Sequence, residues 1–277
     1  MRLAPQLLFL FIASGGCEHY FVSSQPFPNC DNIIKAYNFP DCDNETYYKS
    51  LSTQPSRDEM HKLIKDTHRN VLPYTSSSKL DTWDALSKLD TTDCLGKRIQ
   101  LFYGEKDLAV NPRQGSGKCT YWNREHVWPR SRGVGKTGKD NTDLHHLRPS
   151  DCNVNKARGN KTFAECGTVD SDSSCVKPAH PDAATDTATD TKSFLPPEKK
   201  RGDVARMILY MDLRYDGDEE GTENLVVSDC PKYGVKGDPS MGYLSQLLQW
   251  HLDDPPDEEE RTRNDAICTS EYFRLFS

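Results

Sequence analysis

None of the ten cysteines forms a C-x-x-C pair, which removes zinc ribbons and thioredoxin-type redox centres from consideration. Beyond residue 16 no apolar run approaches the ~20 residues that a membrane span needs. The stretch GVGKTGKD (133–140) has the ingredients of a phosphate-binding loop, yet the G-x-x-x-x-G-K-[ST] spacing is missing, so it is not one. An excess of positive charge is missing too: the chain carries −7, a balance that by itself speaks against a polyanionic partner. Nothing resembles a module that reads nucleotide bases.

The first sixteen residues, MRLAPQLLFLFIASGG, place one cation at Arg2, an apolar stretch around Leu7–Ile12, and then small residues. That is the plan of a secretory signal peptide, and it predicts a secreted or periplasmic/extracellular protein with no membrane attachment once the segment is removed. An even cysteine count behind such a segment predicts disulfides formed in an oxidising compartment, with connectivity left open. NET at Asn44 and NKT at Asn160 are glycan acceptor tripeptides. At 277 residues there is enough chain for a sizeable core. The expected organisation is a signal peptide (1–16), a Cys-containing extension (17–55) and one disulfide-stabilised, mostly helical α+β domain (56–277).

Charge is unevenly distributed. Between residues 111 and 160 stand ten Lys and Arg against four Asp and Glu, so this segment is +6 and the remainder −13. A basic segment in an acidic protein is the electrostatic footprint of a polyanion.

Ser56 and Glu59 have capping-box spacing ahead of Met60, Leu63 and Ile64, which predicts a helix over 56–72. A second is expected over 79–90, then a strand over 98–104 ended by Gly104. Helices are also expected at 201–215, through Val204, Ile208 and Met211, at 241–252, through Leu244, Leu248 and Leu252, and around RTRNDAIC. The low-complexity stretch 167–192 reads as a flexible excursion.

Two stretches carry chemistry. CTYWNREHVW reads as a strand stopped by Pro129, with Glu125 and His126 at its end. TDLHHLRP reads as a second strand holding His145 and His146, and PSDCNVNKARGN as a helix with Ser150 as N-cap and Asp151, Asn155 and Arg158 on one face. The segment 118–160 is therefore a ββα unit. A histidine near its ordinary pKa can take a proton from water. Glu125 and the Asn155 amide form the sparse oxygen set that magnesium accepts, and arginines can grip phosphate oxygens. Strict strand alternation would send Glu125 and His126 to opposite faces, so this arrangement requires the strand to end or bulge there.

NREHVWPRS followed by TDLHHLRPSDCNVNKARGN resembles the endonuclease I family, secreted or periplasmic nonspecific nucleases with a ββα-metal (His-Me finger) site. TWDAL, RGDVARMILYMDLRY and LLQWHLDDPPDEEERTRNDAI extend the resemblance across roughly residues 50–267. The resemblance implies His126 as general base, Glu125 and Asn155 as ligands of a Mg2+-type ion (Mn2+ and Ca2+ being alternatives), and His145 as the brace of the loop carrying the base. Arg124, Arg130, Arg148, Lys156 and Arg158 are the expected contacts to substrate phosphates, and DNA and RNA the expected substrates, cleaved to 5′-phosphate products. No obligate protein partner is expected. His146, His180 and His251 read as structural, and Cys152 as a disulfide half. The other reading is a secreted nucleic-acid-binding protein whose nuclease site has decayed.

Overall fold

The computed structural model describes residues 47–93, 95–113, 118–167, 174–232, 235 and 237–269. The expected signal peptide, most of the N-terminal extension and Asn44 lie outside the described residues.

Helix α1 (Arg57–Thr67) starts where the capping box places it. The Ser56 hydroxyl accepts the Glu59 N–H at 3.2 Å, and the Glu59 carboxylate accepts the Ser56 N–H at 2.7 Å. Helix α2 (Thr82–Leu89) repeats the device with Asp81 as cap and buries Trp83, Ala85 and Leu86. The expected 98–104 strand shortens to β1 (Arg98–Gln100), paired antiparallel with β2 (Asp107–Ala109). Next come β3 (Trp122–His126), β4 (Leu147–Asp151) and helix α3 (Cys152–Arg158).

A three-stranded sheet follows, ordered β5 (Thr162–Phe163), β7 (Ser193–Leu195), β6 (Ala188–Thr189). The expected flexible excursion, 167–192, is described at residue 167 and from residue 174 onward. Cys166 and Cys175 are disulfide-bonded, and part of the described stretch 179–190 packs against the body. Ala179, Ala184, Thr187 and Ala188 are buried. The Ala184 N–H donates to the Tyr103 carbonyl at 2.9 Å, and Asp190 Oδ1 accepts the Lys192 and Ser193 N–H groups at 2.7 and 2.6 Å. Short alternating Ala, Thr and Asp side chains look like low complexity, yet small methyls pack tightly while hydroxyls and carboxylates satisfy a turning backbone.

Helix α4 (Arg201–Arg214) is the axis of the domain. The spacing predicted one apolar stripe, but the helix is buried on nearly every side, including Asp203, Arg206, Asp212 and Arg214. Helices α1 and α5 (Leu244–Asp253) pack on it. The buried residues of α5 are Leu247 and Trp250, whereas Leu252 is 57% exposed, so the expected 244/248/252 stripe is rotated. A parallel pair, β8 (Val226–Val227) and β9 (Ser240–Met241), and helix α6 (Glu258–Thr269) complete the described chain. The result is one domain of mixed helices and small sheets. Its core runs through Trp122, Trp128, Phe163, Phe194, Ile208 and Met211.

Candidate active site

β3 and β4 pair antiparallel, with Glu125 opposite Arg148 and His126 opposite Leu147. A disulfide between Cys119 and Cys152 ties the approach to β3 to the first residue of α3, so Cys152 is a disulfide half as expected. Two boundaries differ from the expectation. Ser150 stays in β4 opposite Asn123, and Asp151 caps α3, accepting the Asn153 and Val154 N–H groups at 2.7 and 3.2 Å. An aspartate does this at least as well as a serine and adds favourable charge at the helix start. The strand also begins only at Leu147, so His145 and His146 sit in a preceding turn, where the Asp143 carbonyl accepts the His146 and Leu147 N–H groups at 3.3 Å each.

One face of β3 carries the oxygen donors. Asn123 and Glu125, two residues apart, present to the face over which α3 lies. The Glu125 carboxylate is buried, accepts the Tyr103 hydroxyl at 3.0 Å and lies 3.3 Å from Arg158 Nη1. Burial pushes its carboxyl up to about 7, against the opposing pull of Arg158 and Tyr103. The Asn155 amide donates both its hydrogens, to Asn123 Oδ1 at 2.9 Å and to the Arg124 carbonyl at 3.2 Å. That fixes the amide and leaves its oxygen uncommitted. Residues 155 and 158 are one helical turn apart, so one face of α3 meets both Asn123 and Glu125.

His126 is on the other side. β3 is regular to its last residue, so alternation holds and the imidazole turns away from the Glu125 carboxylate; no bulge intervenes. Its ring packs 5.6 Å from Tyr74 and 5.4 Å from His146. Its Nε2 is 3.0 Å from the Asn141 carbonyl. A carbonyl only accepts, so the hydrogen resides on Nε2 and the lone pair on Nδ1. Burial, then the neighbouring His146 and the cations Arg130 and Arg124, hold His126 well below its ordinary value despite the Asn141 carbonyl. The imidazole is therefore neutral at neutral pH.

His146 packs on His126. Because the strand starts after His145 and His146, the second histidine of the pair turns inward, donating from Nε2 to the Asp140 carbonyl at 2.6 Å. His145 instead packs 4.8 Å from Tyr210. Below them Asp143 is a hub: it accepts the hydroxyls of Tyr210 and Tyr215 at 2.7 Å each and the His145 N–H at 2.9 Å. Burial alone would raise the Asp143 carboxyl; His68, His145 and His146 outweigh it and hold the group below the usual range.

The family model described as Endonuclease I matches residues 52–274. The chain belongs to the endonuclease I family. It is 37% identical over 229 residues to an extracellular ribonuclease of Bacillus amyloliquefaciens, covering 82% of this chain and 72% of that one. It is 35% identical over 229 residues to an extracellular ribonuclease of Bacillus subtilis (strain 168), covering 82% and 73%.

Within this endonuclease I chain the expected phosphate contacts divide into two groups. Arg158 is fully buried and donates to the His126 and Val127 carbonyls at 3.0 and 2.5 Å besides pairing with Glu125. Arg148 is buried over Phe102 and pairs with Asp90 at 3.2 Å. Arg124 lies over Tyr74 and Trp83, 3.4 and 4.1 Å from the ring centres, and donates to the Tyr74 carbonyl and Thr82. Arg158 and Arg148 build the site rather than face solvent, and Arg124 is half-buried. Arg130 donates from Nε to the Gly135 carbonyl at 2.9 Å and lies 5.3 Å from the Tyr74 ring centre, and Lys156 is exposed on α3.

The sequence left four supporting residues unremarked: Tyr103, Asn123, Tyr74 and Asn141. Of these only Asn123 had a visible signal, being two residues from Glu125 on the same strand face. Tyr74 and Tyr103 arrive from loops and Asn141 from a single 3-10 turn (Lys139–Thr142), where spacing says nothing about contact.

Proposed function

We propose that the protein is a secreted, metal-dependent endonuclease of the ββα-metal (His-Me finger) type, hydrolysing phosphodiester bonds in DNA and RNA with little sequence selectivity. The observation that carries this reading is the set of groups left open at the end of β3. Glu125, the Asn155 amide oxygen and His126 Nδ1 retain capacity that the surrounding buried groups do not take up. A decayed site has no reason to keep an asparagine amide pinned in one orientation. Membership of the family and relatives named extracellular ribonucleases support nuclease action, RNA among the substrates and export. The disulfides fit an oxidising compartment, and among the described residues no helix is long and apolar enough to cross a membrane.

A scissile phosphate would lie across the end of β3, where its two sides meet. His126 Nδ1 would take the proton of the attacking water, a contribution of roughly 10²–10⁴-fold. Nε2, held on the Asn141 carbonyl, keeps the ring in that tautomer. Glu125 and Asn155 would hold a Mg2+-type ion, which when bound offsets charge on the phosphate and the departing 3′ oxygen, leaving 5′-phosphate products. Arg130 and Lys156 would contact backbone phosphates, so binding is salt-sensitive and blind to sequence.

Nicking of supercoiled plasmid and cleavage of RNA by the purified protein, with Mg2+ and with chelator, test the reading. His126→Ala should lower the rate by at least about a hundredfold while circular dichroism and DNA retention stay unchanged. Chelator-resistant cleavage, or a fully active His126→Ala protein, would refute it.

A further inference from the structure

A second group of metal-type donors lies away from β3. We propose that His61, Asp216 and Asp218 form a binding site for a first-row transition cation such as Zn2+ or Mn2+, joining α1 to the loop that follows α4. One ligand atom from each of the three lies within 4.8 Å of the others.

The imidazole carries the argument. His61 is only 9% exposed, and its Nδ1 is 2.9 Å from the Leu213 carbonyl. The carbonyl accepts, so Nδ1 bears the hydrogen and the Nε2 lone pair is directed outward. What it meets is Asp216 Oδ2 and Asp218 Oδ2, each 3.3 Å away. A lone pair aimed at two carboxylates is repulsive unless a cation lies between them, either a second proton on the ring or a metal. Anchoring the far ring nitrogen on a backbone carbonyl is how proteins orient a metal-binding histidine.

The two carboxylates are preset. Gly217 has φ +83°, and a Cβ there would meet Asn224 N at 2.9 Å, so this turn admits only glycine between the two aspartates. The Asp218 N–H donates to Asp216 Oδ1 at 3.1 Å. Lys65, one turn along α1 from His61, pairs with Asp218. One ammonium against two carboxylates leaves a net charge of about −1 for a cation to meet. One imidazole nitrogen with two carboxylate oxygens suits a borderline ion better than Mg2+ or Ca2+, which prefer all-oxygen shells.

The test uses the full chain stripped with chelator and titrated calorimetrically with Zn2+ in millimolar Mg2+. Binding of one Zn2+ is expected, weakened about tenfold or more by His61→Gln and by Asp218→Asn, and unchanged by Asn155→Ala. Zn2+ should raise Tm in the parent and not in Asp218→Asn, whose exposed side chain makes folding insensitive to the change. Mn2+ should broaden the His61 imidazole resonances. Zn2+ affinity indifferent to both His61→Gln and Asp218→Asn, or lost in Asn155→Ala alone, would overturn the site. So would a His61 ring that titrates with pH and ignores Mn2+, since a proton would then be the cation. None of these outcomes bears on whether plasmid nicking requires Mg2+.

Discussion

Two clusters of buried charge flank strand β4, and they are built to different rules. Between β4, α4 and α6, the cations Arg148, Lys200, Arg206 and Arg263 meet the anions Asp90, Asp203, Glu259 and Glu260, each charge facing one of opposite sign within 4 Å. Arg263 further donates to the Leu144 and Leu147 carbonyls at 2.8 and 2.9 Å, pinning the turn that carries His145 and His146. At the end of β3 the balance is left incomplete. Glu125 has one cation, Asn155 has an amide oxygen with nothing on it, and His126 has a lone pair with nothing on it. Burial is common to both clusters; what distinguishes the second is a set of acceptor atoms that no donor takes up.

If that distinction holds, damage to the first cluster should cost stability and damage to the second should cost chemistry. The largest effect expected is that of Asp90→Ala, which strands Arg148 and Arg263 without their shared carboxylate. Breaking a buried pair this way costs about 3–5 kcal/mol, read as a fall in the urea midpoint, while activity per folded molecule stays near the parent's. Asn155→Ala should do the reverse: an unchanged midpoint, with the Mg2+ concentration for half-maximal nicking raised about 10–100-fold. Asn123→Ala should move the same quantity in the same direction by less, because it only loosens the amide, and Asn123→Asp, which keeps the acceptor, should restore it. A metal requirement that responds to Asp90 and not to Asn155 would reverse the assignment of the two clusters.

A smaller effect tests a boundary between them. Burial raises the Asp140 carboxyl to about 7. Since the folded form holds its proton more tightly than the unfolded chain does, stability falls as pH rises from about 4 to about 7, and the penalty is complete above that. Asp140→Asn removes the charge, so it should gain about 1–2 kcal/mol at pH 8 and almost nothing at pH 4; a pH-independent difference would remove the explanation. The smallest effect is that of Lys156→Ala. It should weaken DNA binding equally across sequences and reduce the slope of log affinity against log salt by about one.

The same contrast explains what could be read in the amino-acid sequence. Local rules held where the deciding contacts are local. Ser56 and Glu59 cap α1 through each other, and the spacing of Asn155 and Arg158 does place both on one helical face. Polar side chains whose partners are distant were another matter. Arg158 looks like a phosphate ligand because its spacing from Asn155 is right, but its guanidinium is used 31 to 32 residues back on the His126 and Val127 carbonyls. Arg148 reads identically, and its partner Asp90 lies across the fold. The inward turn of His146 depends on β4 starting at Leu147 rather than at Thr142, a boundary that periodicity does not resolve. Adjacent charged residues drew attention to this part of the chain; which of them stay open to solvent is decided by burial, and burial is a property of the assembled domain.

Arg263 holds carbonyls 119 and 116 residues before it in the chain. A ribosome that has finished both strands of the hairpin must therefore still make α4, α5 and the first half of α6 before the turn behind His126 can be locked.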